Sequence, residues 1–153
     1  MDPAANTWTN EPHLTVFYCD RCCGPLPNAA CGGPHVRFIG CCANEVDAGR
    51  LQGAYADGAD GVMIVGCLGG ACCAPPGEVE AFRRIHAGAA VLKRLELDPV
   101  RLRRHWLAPR EAATVTALVA AFRRRLVTLN ARRDARAARP QPALPEPVQA
   151  AQA

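Results

Sequence analysis

A chain of 153 residues is long enough to bury one hydrophobic core and too short for two domains of ordinary size. Half of its residues are hydrophobic, but charges or glycines interrupt each apolar run before it reaches the roughly 18 residues that a membrane-spanning helix needs. The first residues show no secretory signal, so we expect a cytoplasmic protein without membrane insertion. The formal charge of +4 is uneven: residues 1–80 hold three Arg against nine Asp and Glu, whereas residues 81–153 hold fifteen Lys and Arg against five acids.

Short apolar runs predict four β-strands, at residues 14–18, 36–39, 62–65 and 102–107. Apolar periodicity and end signals predict three helices: residues 46–56, a segment from Glu78 to the stop at Asp98-Pro99, and a segment that follows Pro109. The predicted apolar stripe of the second helix is Val79, Phe82, Ile85, Ala89, Leu92 and Leu95, and that of the third is Val115, Leu118, Val119, Phe122, Leu126 and Leu129.

Strands that alternate with helices favour a parallel sheet that is covered on both faces. We therefore predict an α/β fold, a small doubly wound (flavodoxin-like) parallel sheet of about four strands flanked by helices. This domain is expected over residues 13–130. Residues 1–12 are expected to form a flexible N-terminus, and residues 131–153 a disordered tail that is first basic and then rich in Pro, Ala and Gln.

All nine cysteines lie in the acidic part of the chain, and most of them follow a predicted strand. The first strand leads into Cys19, Cys22 and Cys23, the second into Cys41 and Cys42, and the third into Cys67, Cys72 and Cys73. Ligands of open parallel sheets gather outside the carboxyl ends of the strands, so three chain segments should deliver thiols to one edge of the sheet. The odd number of cysteines and the expected cytoplasmic location argue against a disulfide framework. Metal binding or redox chemistry is predicted instead.

The spacing of the thiols favours a metal centre. Two pairs can each bring two sulfurs to one centre, Cys19-x2-Cys22 and Cys67-x4-Cys72. The glycines around the second pair, Gly66, Gly69 and Gly70, can approach a cofactor closely and offer backbone N–H groups to sulfur. Four thiolates are the ligand set of an iron–sulfur cluster and also of structural zinc. The spacing leaves both metals open.

Other interpretations of these residues compete with a metal centre. Cys23, Cys31 and Cys41, each taken singly, are typical of small buried core or loop residues. Cys19 and Cys22 follow a strand, as a thioredoxin-like dithiol does. The arginine-rich stretch 123–139 is interpreted as a solvated helix end, because no aromatic residues interleave it. We expect no nucleic-acid partner.

Three blocks of the sequence together resemble a known family. They are VFYCDRC, VRFIGCCANEVD and GADGVMIVGCLGGACC, and the similarity continues to about residue 129. The chain resembles the small iron–sulfur (delta) subunit of methyl-viologen-reducing, F420-non-reducing hydrogenases, which also occurs alongside or fused to heterodisulfide-reductase-type flavoproteins. The resemblance implies one 2Fe-2S cluster, held by four of five cysteines: Cys19, Cys22, Cys42, Cys67 and Cys72.

The resemblance also implies a function without catalytic side chains of its own. It implies an electron-transfer subunit in a hetero-oligomer, relaying electrons between a partner flavin or Fe–S oxidoreductase and a hydrogenase, formate dehydrogenase or heterodisulfide reductase. Residues 24–34 are shorter and richer in Pro and Gly than the family's first crossover, which implies that the helix there is reduced to a turn. The alternatives from other classes are a zinc-binding interaction module and a thiol–disulfide oxidoreductase that uses Cys19 and Cys22.

Overall fold

The computed structural model describes residues 11–23, 33–68, 77–108 and 110–138, with the backbone alone for 22–23, 77–82, 84–85 and 112. The strands are β1 (Leu14–Tyr18), β2 (Val36–Gly40), β3 (Gly61–Cys67) and β4 (Leu102–Leu107). The α-helices are α1 (Asp20–Cys23), α2 (Ala48–Ala56), α3 (Gly77–Arg94) and α4 (Ala112–Ala137). Two short 3-10 helices are η1 (Ala43–Glu45) and η2 (Pro99–Arg101).

The four strands form one parallel sheet in the order β2-β1-β3-β4. This order confirms the predicted α/β fold, and all four strands lie where the apolar runs predicted them. Every residue of β3 is buried, as expected of a central parallel strand that is covered on both faces. Strand β4 lies at the edge, and its Arg103 and Arg104 are exposed.

Helices cover both faces of the sheet, as a doubly wound fold requires. The connections from β2 to β3 and from β3 to β4 run in one direction across the sheet, so right-handed crossovers place α2 and α3 on the same face. Their core includes Leu51, Ala54, Tyr55, Ile64 and Leu92. Helix α4 covers the opposite face, and its core includes Val16, Met63, Val65, Phe122 and Leu126.

Local chemistry explains where the helices begin and how closely they pack. Helix α2 begins at Ala48 rather than at the predicted residue 46, because the Asp47 side chain accepts a hydrogen bond from the backbone N–H of Arg50 at 2.8 Å. Helix α3 passes close to α2, since a Cβ on Gly88 would lie within 2.2 Å of Leu51 Cδ1. Gly88 therefore permits this helix contact.

The predicted apolar stripe of α3 is only partly correct. Leu92 is fully buried, as predicted, but Ala89 is exposed and Leu95 is 40% exposed. The helix ends at Arg94, so Leu95 lies beyond its last turn, and Val91 is buried instead. The predicted positions 79, 82 and 85 lie outside the described side chains. The stripe predicted for α4 is confirmed, with Leu118 half-buried against the core.

The ends of the predicted domain differ from the described structure in two places. Helix α4 continues to Ala137, because Ala and Arg are strong helix formers even where they bury nothing. The predicted basic tail therefore begins inside a helix, and residues 139–153 lie outside the described part. Near the N-terminus, Pro12 is buried and Arg123 Nη2 donates to Glu11 Oε2 at 3.0 Å. Within the described ranges no helix is long and apolar enough to cross a membrane.

Candidate metal centre

The thiols lie where the strand order reverses. The chain leaves β1 for β2 on one side and later returns to β3 on the other side, so the carboxyl ends of β1 and β3 flank the topological switch point. Tyr18, the last residue of β1, is in register with Gly40 of β2 and Val65 of β3. Cys19 follows β1 directly, and Cys67 is the last residue of β3. Open parallel sheets bind ligands at this position.

Backbone hydrogen bonds hold the three thiol-bearing segments together. The N–H of Cys41 donates to the carbonyl of Tyr18 at 2.9 Å, and the N–H of Cys19 donates to the carbonyl of Val65 at 3.3 Å. The N–H of Leu68, just beyond β3, donates to the carbonyl of Leu107 at 2.8 Å. The sheet ladder thus extends past the formal strand ends, and the cysteine backbones belong to a rigid scaffold.

Within the described part of the chain, Cys19, Cys41, Cys42 and Cys67 form no disulfide with one another. Cys19 and Cys67 are buried, at 3% and 5% exposure, whereas Cys41 and Cys42 are half-buried. Alternation along β3 directs Cys67 to the face of Met63 and Val65, which α4 covers. Cys41 instead packs against the core under α2 and α3. The thiols therefore reach this edge from both faces of the sheet.

The structure places three of the predicted ligands at the same edge of the sheet, and their assignment as metal ligands stays a prediction. Cys19, Cys42 and Cys67 end three neighbouring strand segments at one edge. Cys22 lies in α1, three residues after Cys19, so the Cys-x2-Cys spacing spans one helical turn of backbone. Cys72 lies outside the described residues. Among the described side chains, no group of three or more His, Cys, Asp or Glu is close enough to bind one metal ion.

Cys41 is a thiol whose surroundings disfavour ionisation. Burial is the main cause that raises its pKa to about 11, with smaller contributions from Glu45, Cys42 and Cys19, while Arg50 acts in the opposite direction. Cys41 is half-buried against the core, a position that a small packing residue can fill. The sulfur donors of the edge as a whole suit iron or zinc.

A packing role, which the sequence did not reveal, accounts for Gly66. A Cβ at this position would lie 2.2 Å from Cζ3 and 2.5 Å from Cε3 of Trp106, and 3.1 Å from the Cβ of Ala43. Trp106 is the register partner of Gly66 on β4, so its ring occupies the space that a side chain would fill. Gly69 and Gly70 lie outside the described residues, and contact of the three glycines with a cofactor stays a prediction.

The fold and the site define a small parallel α/β protein with a cysteine-rich carboxyl edge. Residues 14–130 match the family FlpD, the delta subunit of methyl-viologen-reducing hydrogenase. This match covers more than half of the chain, and the protein belongs to that family. The family predicted from the three sequence blocks is therefore confirmed.

Individual relatives carry related names. The chain is 26% identical over 118 residues to an iron-sulfur subunit of the F420-non-reducing hydrogenase of Archaeoglobus profundus, covering 73% of this chain and 86% of the relative. It is 29% identical over 113 residues to the vhc iron-sulfur subunit of the F420-non-reducing hydrogenase of Methanococcus voltae, covering 70% and 77%. It is also 30% identical over 106 residues to one subunit of the ferredoxin/F420H2-dependent CoB-CoM heterodisulfide reductase of Methanosarcina acetivorans, covering 65% of this chain and 13% of that protein.

Proposed function

We propose that this protein is an electron-transfer subunit that carries one 2Fe-2S cluster at the carboxyl edge of its sheet. Four of five cysteines, Cys19, Cys22, Cys42, Cys67 and Cys72, are the proposed ligands. The observation that carries the proposal is the placement of buried Cys19 and Cys67 on either side of the topological switch point. Membership of a family of hydrogenase delta subunits supports it.

The protein's own residues supply position and environment rather than acid–base chemistry. The hydrogen bonds from Cys19 to Val65 and from Cys41 to Tyr18 fix the backbone on which the ligands lie. Burial of Cys19 and Cys67 keeps water from the sulfurs, and the burial of a cluster together with N–H groups aimed at its sulfurs sets its reduction potential. A 2Fe-2S cluster, when bound, accepts and releases one electron at a time.

The proposed partners are oxidoreductase subunits that contain a flavin or Fe–S clusters, in a cytoplasmic hetero-oligomer. The relatives from Archaeoglobus profundus and Methanococcus voltae are named as hydrogenase subunits. In the heterodisulfide reductase relative, the similar segment is a small part of a much longer chain. A module that occurs both within a larger redox protein and as a separate polypeptide suits a relay between cofactors of different proteins.

The test is an anaerobic purification followed by analysis of iron, zinc and acid-labile sulfide, with EPR spectra recorded after dithionite reduction. The proposal predicts about two irons and two sulfides per chain and an EPR signal from the reduced cluster. Stoichiometric zinc without sulfide would show a zinc-binding module and contradict electron transfer. A metal-free protein whose Cys19 and Cys22 interconvert reversibly with a disulfide would show a thiol–disulfide oxidoreductase instead.

A further inference from the structure

A second concave site lies at the amino ends of the strands, at the end of the sheet opposite the thiols. It is a cavity of about 420 Å³ between the segment that joins α3 to β4 and the C-terminal part of α4. This size falls within the usual range of small-molecule sites. Four arginines and two acids line it: Arg101, Arg132, Arg133, Arg136, Glu96 and Asp98. The lining therefore carries a net positive charge.

Arg101 forms the buried part of this cavity and is held rigidly. It is 3% exposed, and its Nη1 donates to the carbonyl of Asp60 at 2.8 Å and to Asn130 Oδ1 at 2.9 Å. The hydroxyl of Tyr55 donates to the carbonyl of Arg101 itself at 3.0 Å. Both acceptors of the guanidinium are neutral. Within the described part of the chain, the Nε and Nη2 groups of Arg101 have no hydrogen-bond acceptor.

Because Arg101 Nε and Nη2 are not among the buried side-chain atoms that lack a partner, they open on the cavity, where an acceptor from outside the chain can reach them. Arginine stays charged in proteins, although burial and the nearby Arg133 lower the pKa of Arg101, and Asp60 and Asp98 oppose this. The Asp98 carboxylate is already the cap of η2, since it accepts from the N–H of Val100 at 2.9 Å. An anion in the cavity would satisfy both the charge and the free donors.

The rim of the cavity adds two more available cations. Arg132 and Arg136 are exposed and four residues apart on α4, where like charges destabilise a helix. Among the described residues neither makes an ion pair. Arg133, by contrast, lies 3.7 Å from Asp60 Oδ1 and 3.3 Å from Asp134 Oδ1. The two rim arginines are thus free to close over an anion.

We infer that this cavity binds a small phosphate ester, with its phosphate on Arg101, Arg132 and Arg136. The planar fork of arginine matches phosphate oxygens in two parallel hydrogen bonds. The remaining wall is apolar, from Leu97 and Leu129, and offers a surface for the organic part of the ligand. The site does not involve the thiols, so this inference is independent of the proposed electron transfer.

The experiment is isothermal titration calorimetry of the full-length protein with pyrophosphate as the probe, at constant ionic strength. The inference predicts a dissociation constant below about 1 mM. Replacing both rim arginines, Arg132→Ala with Arg136→Ala, should weaken binding by at least about tenfold. Arg101→Lys keeps the buried charge but loses the fork, and should also weaken binding while the circular dichroism spectrum stays unchanged.

The matched control is the double variant Arg124→Ala with Arg125→Ala. It removes the same charge from exposed positions on the same helix, outside the cavity, and should leave the affinity within about twofold of the parent. An equal loss of pyrophosphate affinity in the two double variants would show only non-specific electrostatic attraction to a positively charged helix, and would overturn the inference. Absence of pyrophosphate binding would also overturn it, and binding of a polyglutamate peptide alone would assign this surface to an acidic protein instead.

Discussion

Replacing Gly66 by alanine tests how the sheet is packed beside the thiol edge. The new Cβ would lie 2.2 Å and 2.5 Å from two ring carbons of Trp106, and 3.1 Å from Ala43 Cβ. Carbon atoms in contact prefer separations of about 3.5–4.0 Å, so the indole must move by more than about 1 Å. Overpacking of this kind lowers the free energy of unfolding by about 1–3 kcal/mol. Because Ala43 directly follows Cys42, part of this displacement should reach the thiol edge.

The assay is urea unfolding of the reduced, metal-free protein, followed by circular dichroism. The control is Gly53→Ala in α2, where the added Cβ meets no atom within 4 Å and alanine should stabilise the helix by about 0.5–1 kcal/mol. In a Trp106→Ala background the clash with the indole disappears and only the 3.1 Å contact with Ala43 remains, so Gly66→Ala should then cost clearly less than in the parent. An equal cost of Gly66→Ala in both backgrounds would refute the reasoning.

Three further predictions concern the core and two titrating groups. Leu126→Ala should lower the free energy of unfolding by about 2–5 kcal/mol, since Leu126 is fully buried between α4 and the sheet; an unchanged urea midpoint would contradict the docking of α4. Burial, and secondarily Arg103, lowers the pKa of His105, so Arg103→Gln should raise that pKa in an NMR titration. The control Arg104→Gln, on the opposite face of β4, should leave the pKa of His105 unchanged. Equal shifts of this pKa in both variants would show that Arg103 has no specific effect on His105. Burial raises the pKa of Tyr55, with Arg101 partly opposing, so the fold favours the neutral phenol. The stabilisation of the folded state by neutral Tyr55 is complete below the pKa of tyrosine in the unfolded chain, about 10, and it is lost as the pH rises above that value. The parent should therefore lose more stability than Tyr55→Phe between about pH 9 and 11, and equal slopes in urea unfolding would contradict this.

The strands and the thiol edge were predictable because they rest on local patterns. Short apolar runs define each strand, and cysteines that follow parallel strands must lie at the same edge of the sheet. The contact of Gly66 with Trp106 was not predictable, because it joins residues of two strands that are far apart in sequence. Arg101 follows Pro99 in a segment that resembles an ordinary turn, and its burial depends on acceptors from outside that segment, the Asp60 carbonyl just before β3 and Asn130 in α4.

The end of α4 and the stripe of α3 show where periodicity misleads. Residues after Asn130 have no apolar face, so nothing in the pattern extends the helix, yet the intrinsic propensity of Ala and Arg carries it to Ala137. Leu95 continues the apolar period of α3, but the helix ends one residue before it. Periodicity predicts which face is buried and does not determine where the backbone leaves the helix.

The central claim is that a cluster is held at the carboxyl edge of the sheet by Cys67 and its neighbours. The most direct measurement compares the EPR spectrum of dithionite-reduced Cys67→Ser with those of the parent and of Cys31→Ser, all purified anaerobically. Cys31 lies outside the proposed ligand set and serves as the matched control, and circular dichroism shows whether each variant is folded. The account predicts that Cys67→Ser loses or shifts the cluster signal and that Cys31→Ser retains it. Identical spectra from Cys67→Ser and the parent would contradict the account.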